Sequence, residues 1–340
     1  MVMSVHSLLF LSSHHYRYII IIILLISFFF TFDRTLISKS SHRFITPSIR
    51  NNLLIRNLSI NKKSVEKQYP FINRTININN SRVVRLAVVS AIYSDDYVEG
   101  IEVLGYSLRR INIQADLILF YISNRLNQVT LDRCRQVGWF LYAVRRIEPP
   151  RFAIIYQRFH DQYTKLHIWS MMGYDRVLYL DADTLVIRDV NELLYGTIFE
   201  DDRDELLGVV EDVWQGQIGP NFNAGVLLIR PNVTIFNDML IKMHNMAAYG
   251  SYWAEQGFLN WYFKGSTGRL PLIYNFNSVL AIYHRDIYKR LRDRMKIIHY
   301  TYYKPFHIKK SNQLSDPSLI ELWLIWNRMH DDMLNQSFIS

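Results

Sequence analysis

The chain has 340 residues, 49% of them hydrophobic and 20% charged, with 13 glycines, 9 prolines and one cysteine, Cys134. This excludes a disordered chain and a collagen-like one, and a lone thiol excludes an intramolecular disulfide framework or a cysteine-rich zinc site. The formal charge of +9 lies entirely in residues 1–82, which hold 11 Lys and Arg against 2 Asp and Glu; residues 83–340 hold 28 of each, so the body has no net field for a polyanion and nucleic acid is not expected as a partner.

In chain order, the first feature is Tyr18–Phe32, a nearly unbroken apolar run. As a helix it spans about 22 Å, against the roughly 30 Å of hydrocarbon in a bilayer. A buried core helix, a cleaved signal peptide and an uncleaved signal anchor compete for it. The run has no polar face, as a core helix would, and only Ser38 and Ser40 offer small residues for cleavage. Residues 1–32 are therefore read as a tail and a signal anchor in the membrane. The flanking charges, Arg17 before the run and Arg34, Lys39 and Arg43 after it, favour the N-terminus outside. Residues 33–82 read as a basic, Asn- and Ser-rich stem with sequons at Asn57, Asn73 and Asn79; two more stand at Asn232 and Asn335.

Residues 83–310 alternate between β-branched apolar runs and helical spacing. Val83–Ile92, Asp116–Ile122, Trp139–Val144 and Arg176–Leu180 read as strands, with helices at Val98–Arg109, Val129–Val137 and Asp161–Met172. This predicts an α/β domain with a mainly parallel central sheet flanked by helices. Leu206–Val210 and Ala224–Ile229 read as further strands, and helices are expected over Asn232–Met246 and Glu255–Phe263. In residues 311–340, Ser315-Asp-Pro317 reads as a helix start, and Leu319, Leu322, Trp323, Trp326 and Met329 form an apolar stripe of a helix docked on the domain.

Ligands of an open α/β sheet lie beyond the carboxyl ends of its parallel strands. The fourth run ends in Leu180-Asp-Ala-Asp-Thr184. An extended backbone sends the carboxylates of Asp181 and Asp183 to one side, where paired hard oxygens suit Mn²⁺ or Mg²⁺. A capped turn is the other reading of the same residues. The sequence has no Gly-x-Gly-x-x-Gly, no P-loop, no His-Glu-x-x-His and no Gly-x-Ser-x-Gly.

With these motifs the chain resembles the glycogenin-like members of glycosyltransferase family 8, retaining enzymes of the GT-A fold. The resemblance runs from about Leu86 to Phe306. It rests on Ala91-Ile-Tyr-Ser-Asp-Asp-Tyr97 with Gly100 and Val103-Leu-Gly105, Thr164-Lys-Leu-His-Ile-Trp169, Leu180-Asp-Ala-Asp-Thr-Leu-Val186, Phe222-Asn-Ala-Gly-Val226, Glu255-Gln-Gly257, and His299 followed by Lys304-Pro305. The resemblance implies a GT-A type nucleotide-diphospho-sugar transferase fold and a UDP-sugar donor held through Mn²⁺, or Mg²⁺, on Asp181, Asp183 and His299. Ala91, Tyr97, Lys165, Asp181, Ala182, Asp183, Asn223, Ala224 and Lys304 would line the donor pocket. Tyr97 would lie against the uracil, and Lys165 and Lys304 would offset phosphate charge. Asn223 and Glu255 would approach the sugar and Gln256 its anomeric centre, with Gly225 allowing close backbone approach. Read alone, His299 is more often a satisfied structural histidine than a ligand, and either lysine a solvated surface charge.

The sequence departs from the pattern in two places. Glycogenins carry Asp-Gly-Gly-Asp-Gln-Gly where this chain has Tyr252-Trp-Ala-Glu-Gln-Gly257; Ala-Glu-Gln is nearer to galactinol synthases of the same family. The His…Lys-Pro segment is one residue shorter and has Tyr302 in place of a Gly. Tyr283 falls where glycogenins place their self-glucosylated tyrosine. The whole reads as a single-pass Golgi or ER transferase with a lumenal catalytic domain, acting on a hydroxyl acceptor that the sequence does not identify. A membrane-tethered sugar-nucleotide binder without turnover is the alternative.

Overall fold

The computed structural model describes residues 75–78, 82–151, 153, 155–195, 207–214, 216–249 and 253–337, all within one compact unit, Asn61–Ser340. The expected anchor, the stem up to residue 74, the sequons at Asn57, Asn73 and Asn79, and Tyr252 lie outside the described residues. Among the described residues no helix is long and apolar enough to cross a membrane.

The chain runs β1 (Thr75–Ile78), β2 (Arg82–Ile92), α1 (Val98–Arg110), β3 (Asp116–Ile122), α2 (Gln128–Gln136), β4 (Phe140–Val144), β5 (Arg176–Leu180), β6 (Thr184–Val186) and α3 (Asn191–Tyr195). It continues through β7 (Leu207–Trp214), β8 (Gln217–Ile229), α4 (Val233–Lys242), α5 (Ala254–Tyr262), β9 (Gly268–Arg269), β10 (Phe276–Asn277), α6 (Val279–Tyr283), α7 (Arg285–Leu291), β11 (Ile297–His299) and α8 (Pro317–Ser337). The main sheet has the order β4-β3-β2-β5-β8-β7-β9. Its first four strands are parallel, β8 and β7 join antiparallel, and β1 pairs antiparallel with the start of β2. The ordered domain thus takes in Thr75–Ile78, which the sequence assigns to the stem.

The reason for the apolar runs is burial on both faces. Along β2, Ala87, Val89 and Ala91 join one core cluster and Leu86, Val88 and Ile92 the other. β5 divides in the same way, with Val177 and Tyr179 on one face and Leu178 and Leu180 on the other. Tyr163, Leu166 and Trp169 cover the first face, and Ile101, Leu104 and Leu108 of α1 the second.

The helix expected over Asp161–Met172 is a 3₁₀ helix, Gln162–Ser170. Three residues per turn stack Tyr163, Leu166 and Trp169 on one side, and these three are fully buried. Tertiary enclosure, which no local pattern reports, selects this tighter winding. The helix expected over Asn232–Met246 stops at Lys242; Asn232 is its cap, accepting from the backbone N–H groups of Thr234 and Ile235.

A second sheet, β10-β11-β6, lies off the first. A third cluster fills the space between this sheet, α1 and α8. The α8 stripe Leu319, Leu322, Trp323, Trp326 and Met329 is buried there, together with Met333. Each such side chain contributes about 1.5–3 kcal/mol of burial free energy. The Asp316 carboxylate caps α8, accepting from the Ser318 N–H at 2.9 Å, with Pro317 in the first turn.

Candidate active site

Asp181, Ala182 and Asp183 form the turn between β5 and β6, closed by Thr184, whose hydroxyl donates to the Asp181 carbonyl at 2.8 Å. The turn therefore joins the two sheets. β6 pairs antiparallel with β11, with Thr184 opposite His299. The Tyr300 N–H donates to the Asp183 carbonyl at 2.9 Å. That register brings one possible ligand atom each from Asp181, Asp183 and His299 within 4.8 Å of one another.

The hydrogen-bond pattern orients the imidazole. Asn275 donates through Nδ2 to Asn223 Oδ1 at 3.0 Å, which turns its own Oδ1 toward His299 Nδ1, also at 3.0 Å. Nδ1–H is then the donor to Asn275, and Nε2 is the nitrogen turned to the Asp183 carboxylate, 3.3 Å away. One imidazole nitrogen and two carboxylates converging there fit Mn²⁺ or Mg²⁺, and Asn275 is the outer partner that orients the ring. A Cβ at Gly225 would overlap the His299 ring. Gly225→Ala is expected to displace the imidazole and weaken Mn²⁺ binding about 10- to 100-fold, measured by electron paramagnetic resonance titration; unchanged affinity would remove His299 from the ligand set.

Two ammonium groups complete the electrostatics. Lys304 Nζ lies 2.5 Å from Asp183 Oδ2 and 2.9 Å from the Tyr300 carbonyl. Burial alone would raise the Asp183 carboxyl, but Lys304 and His299 outweigh it and hold the group well below the usual carboxylate range.

Lys165 occupies a place the sequence did not indicate. Its side chain is 1% exposed. Nζ meets Asp181 Oδ1 at 3.1 Å, Glu255 Oε1 at 2.8 Å and the Ala224 carbonyl at 3.2 Å, and lies over the Tyr179 ring. Burial would lower its pKa, yet Asp181 and Glu255 hold the ammonium charged, above the ordinary lysine range. All three of its N–H bonds are spent on protein partners. It is not a solvated surface charge; it fixes Asp181, with the Tyr179 hydroxyl, which donates to the same oxygen at 2.7 Å. Glu255, 8% exposed, is the buried counter-ion of Lys165; burial raises its carboxyl and Lys165 opposes the rise.

Asn223, Ala224 and Gly225 reach the site because β8 bulges there. Val209 pairs with Leu227 while the next residue, Val210, pairs with Asn223. Core-facing positions switch from Phe222 and Ala224 to Leu227 and Ile229 across the irregularity, the usual way a bulge re-aims a strand. The freed backbone groups all have work: the Gly225 carbonyl accepts from the Asp181 N–H at 2.8 Å, and the Ala224 N–H donates to Gln256 Oε1 at 3.0 Å.

Asp212 is the residue that sequence reasoning missed. Its Oδ2 accepts from Gln256 Nε2 at 2.9 Å and its Oδ1 from Asn223 Nδ2 at 3.1 Å. The available signal was a carboxylate in a strand shortly before Asn-Ala-Gly, but the strand was expected to end at Val210. Asn260 was missed too; its amide accepts from the Phe222 N–H and donates to the Phe222 carbonyl, tying α5 to β8. Ala254, at the first position of α5, holds a φ of 50°, a strained conformation for a residue with a side chain, directly before Glu255 and Gln256.

The remaining expected residues frame the cleft. Ala91, next to last in β2, is buried. Tyr97 meets Phe306 edge-on at 5.3 Å. A Cβ at Gly100 would lie 2.6 Å from the Ala182 carbonyl and 2.7 Å from Phe306, so glycine lets α1 reach the aspartate turn. Tyr283 ends α6 and is 58% exposed.

The family model for Glycosyl transferase family 8 matches residues 58–309. A putative UDP-glucuronate:xylan alpha-glucuronosyltransferase 5 of Arabidopsis thaliana is 26% identical over 229 residues, 65% of this chain and 36% of that protein. Glycogenin-1 of Mus musculus is 28% identical over 190 residues, 50% of this chain and 52% of that protein. The chain thus spans about a third to a half of the length of these relatives. The apo form of the glycosyltransferase GlyE of Streptococcus pneumoniae TIGR4 aligns with a TM-score of 0.53 at 23% identity, covering 75% of this chain and 64% of that one; at that identity the likeness is one of fold, the GT-A architecture.

Proposed function

This chain belongs to glycosyl transferase family 8, and from that membership we propose that it transfers a hexose unit from a UDP-sugar to a hydroxyl acceptor, with Mn²⁺ bound and with retention at the anomeric carbon. The observation that carries this reading is the convergence of Asp181, Asp183 and His299 Nε2 at the end of β5, with Lys304 at their edge. Formal charges agree: Asp181, Asp183, Asp212 and Glu255 against Lys165 and Lys304 leave two negative charges, which a divalent cation balances.

A divalent cation at Asp181, Asp183 and His299 supplies Lewis-acid charge to a departing diphosphate. The chain's own residues do the rest. Lys304 stands where it can pass from Asp183 to a phosphate oxygen, and Lys165 holds Asp181 in place. Gln256, oriented by Asp212 and the Ala224 N–H, presents its amide toward the reacting carbon, and Asn223 shares Asp212 beside it. Neither Glu255 nor Asp212 is free as a nucleophile: Lys165 holds the first, while Gln256 and Asn223 hold the second. We therefore favour a same-face substitution. The bond from sugar to phosphate oxygen breaks, the acceptor oxygen bonds to the same carbon, and the acceptor proton goes to the leaving phosphate. The test is a hydrolysis panel of UDP-sugars with Mn²⁺, UDP-glucose and UDP-glucuronate included, comparing wild type with Asp183→Ala. UDP binding without donor consumption would instead favour a binder without turnover.

The order of apolar run Tyr18–Phe32, stem and catalytic domain supports a single-pass Golgi or ER protein with a lumenal domain, against the flanking charges, which favour the opposite orientation. Protease protection of residues 83–340 in sealed microsomes is the expected result; cleavage from the cytosolic side overturns that placement.

A further inference from the structure

We infer that α8 is a positioning element of the donor site, acting through the hydroxyls of Tyr300 and Tyr303. The inference rests on the donor-site reading above. The loop after His299 carries Lys304, and α8 holds it at points on either side of that lysine. Tyr300 has two ties: its N–H donates to the Asp183 carbonyl at 2.9 Å, and its hydroxyl donates to the Leu322 carbonyl of α8 at 2.8 Å. Tyr303 donates to the Leu319 carbonyl at 3.0 Å. Residues 319 and 322 are one turn apart and share a helix face, so the two tyrosines hold the loop to one strip of α8. Lys304 follows Tyr303 directly, and its Nζ rests on the Tyr300 carbonyl at 2.9 Å.

A second tie runs through rings. Phe306 meets Trp326 of α8 at 6.3 Å on one side and Tyr97 at 5.3 Å on the other. The helix is thus one aromatic layer from the residue assigned to the base, and one tyrosine from the backbone of Asp183. Docking of α8 as such is supplied by its apolar stripe; the two hydroxyl bonds add direction, setting where His299 and Lys304 stand relative to Asp183. Each helix carbonyl has a second lone pair for such a bond, so losing it orphans no buried backbone group.

The test uses the full-length chain with three conservative variants. Tyr300→Phe and Tyr303→Phe each delete one hydroxyl bond to α8 beside the site. Tyr288→Phe also deletes a hydroxyl bond to α8, to Glu321 at 2.6 Å, but from α7. Mn²⁺ affinity without nucleotide, UDP affinity at saturating Mn²⁺ and melting temperature are measured for all four proteins. Tyr300→Phe is expected to raise the Mn²⁺ dissociation constant about ten-fold, and Tyr303→Phe that of UDP by a similar factor, while Tyr288→Phe leaves both within about two-fold whatever its melting temperature. Wild-type affinities in Tyr300→Phe and Tyr303→Phe overturn the inference. So do equal losses in Tyr288→Phe, because affinity would then follow helix docking in general. A wild type that binds neither Mn²⁺ nor UDP sinks the donor-site reading, and this inference with it; that failure is seen in the parent protein and not in the variants alone.

Discussion

Asp183→Ala is expected to reduce UDP-sugar hydrolysis by at least about 10³-fold, since a metal-stabilised leaving group is worth several kcal/mol at the transition state. The size follows from how many partners converge on this carboxylate. One oxygen faces His299 Nε2 and the other accepts from Lys304, while its backbone carbonyl holds Tyr300. Truncation removes one of three ligands and also frees the lysine that the site holds ready for phosphate. Mn²⁺ titration of the same variant should show lost binding with the fold intact by circular dichroism. A variant that turns over donor within tenfold of wild type while binding Mn²⁺ normally would refute the metal-assisted reading.

Lys165→Met is expected to act first on the fold. It leaves Glu255 and Asp181 facing each other without their shared cation in a site where Glu255 is 8% exposed. Breaking one side of a buried ion pair costs about 3–5 kcal/mol, which for a domain of this size corresponds to a fall of roughly 10 °C in melting temperature. The double variant Lys165→Met, Glu255→Gln should regain about half of that loss, because a neutral amide no longer needs the counter-charge. Scanning calorimetry checks both. An unchanged melting temperature in the single variant would mean that water reaches these carboxylates and that the triad is not a buried network.

Much of the fold was legible because its cause is local. Leu86–Val89 of β2, Leu117–Ile122 of β3 and Val177–Leu180 of β5 are apolar at every position, and that pattern signals a strand covered on both faces. The α8 stripe recurs at helical spacing behind Asp316-Pro317, which stops and starts the chain by covalent geometry alone. The aspartate pair was legible for a similar reason, since alternate residues at a strand end share a side.

The parts that were not legible are contacts between distant segments. Lys165, Asp181 and Glu255 meet from a 3₁₀ helix, a strand end and a helix start, and no spacing in the sequence states that their charges cancel. Asp212 looked like an ordinary polar position until the bulge in β8 brought Asn223 and Gln256 to its two oxygens. The role of Asn275 depends on a pairing that sets β11 beside both β10 and β6.

The amino-acid order alone determined the alternation of strand and helix, the strand-end position of Asp181 and Asp183, and the membership that the ordered motifs suggested, because each depends on neighbours within a turn or a strand. Tertiary structure alone decided which charges are buried, which nitrogen of His299 faces the aspartates, and which carboxylate each lysine meets. Those are properties of the field and the hydrogen-bond partners around a group, and they exist only once segments far apart in the chain are packed together.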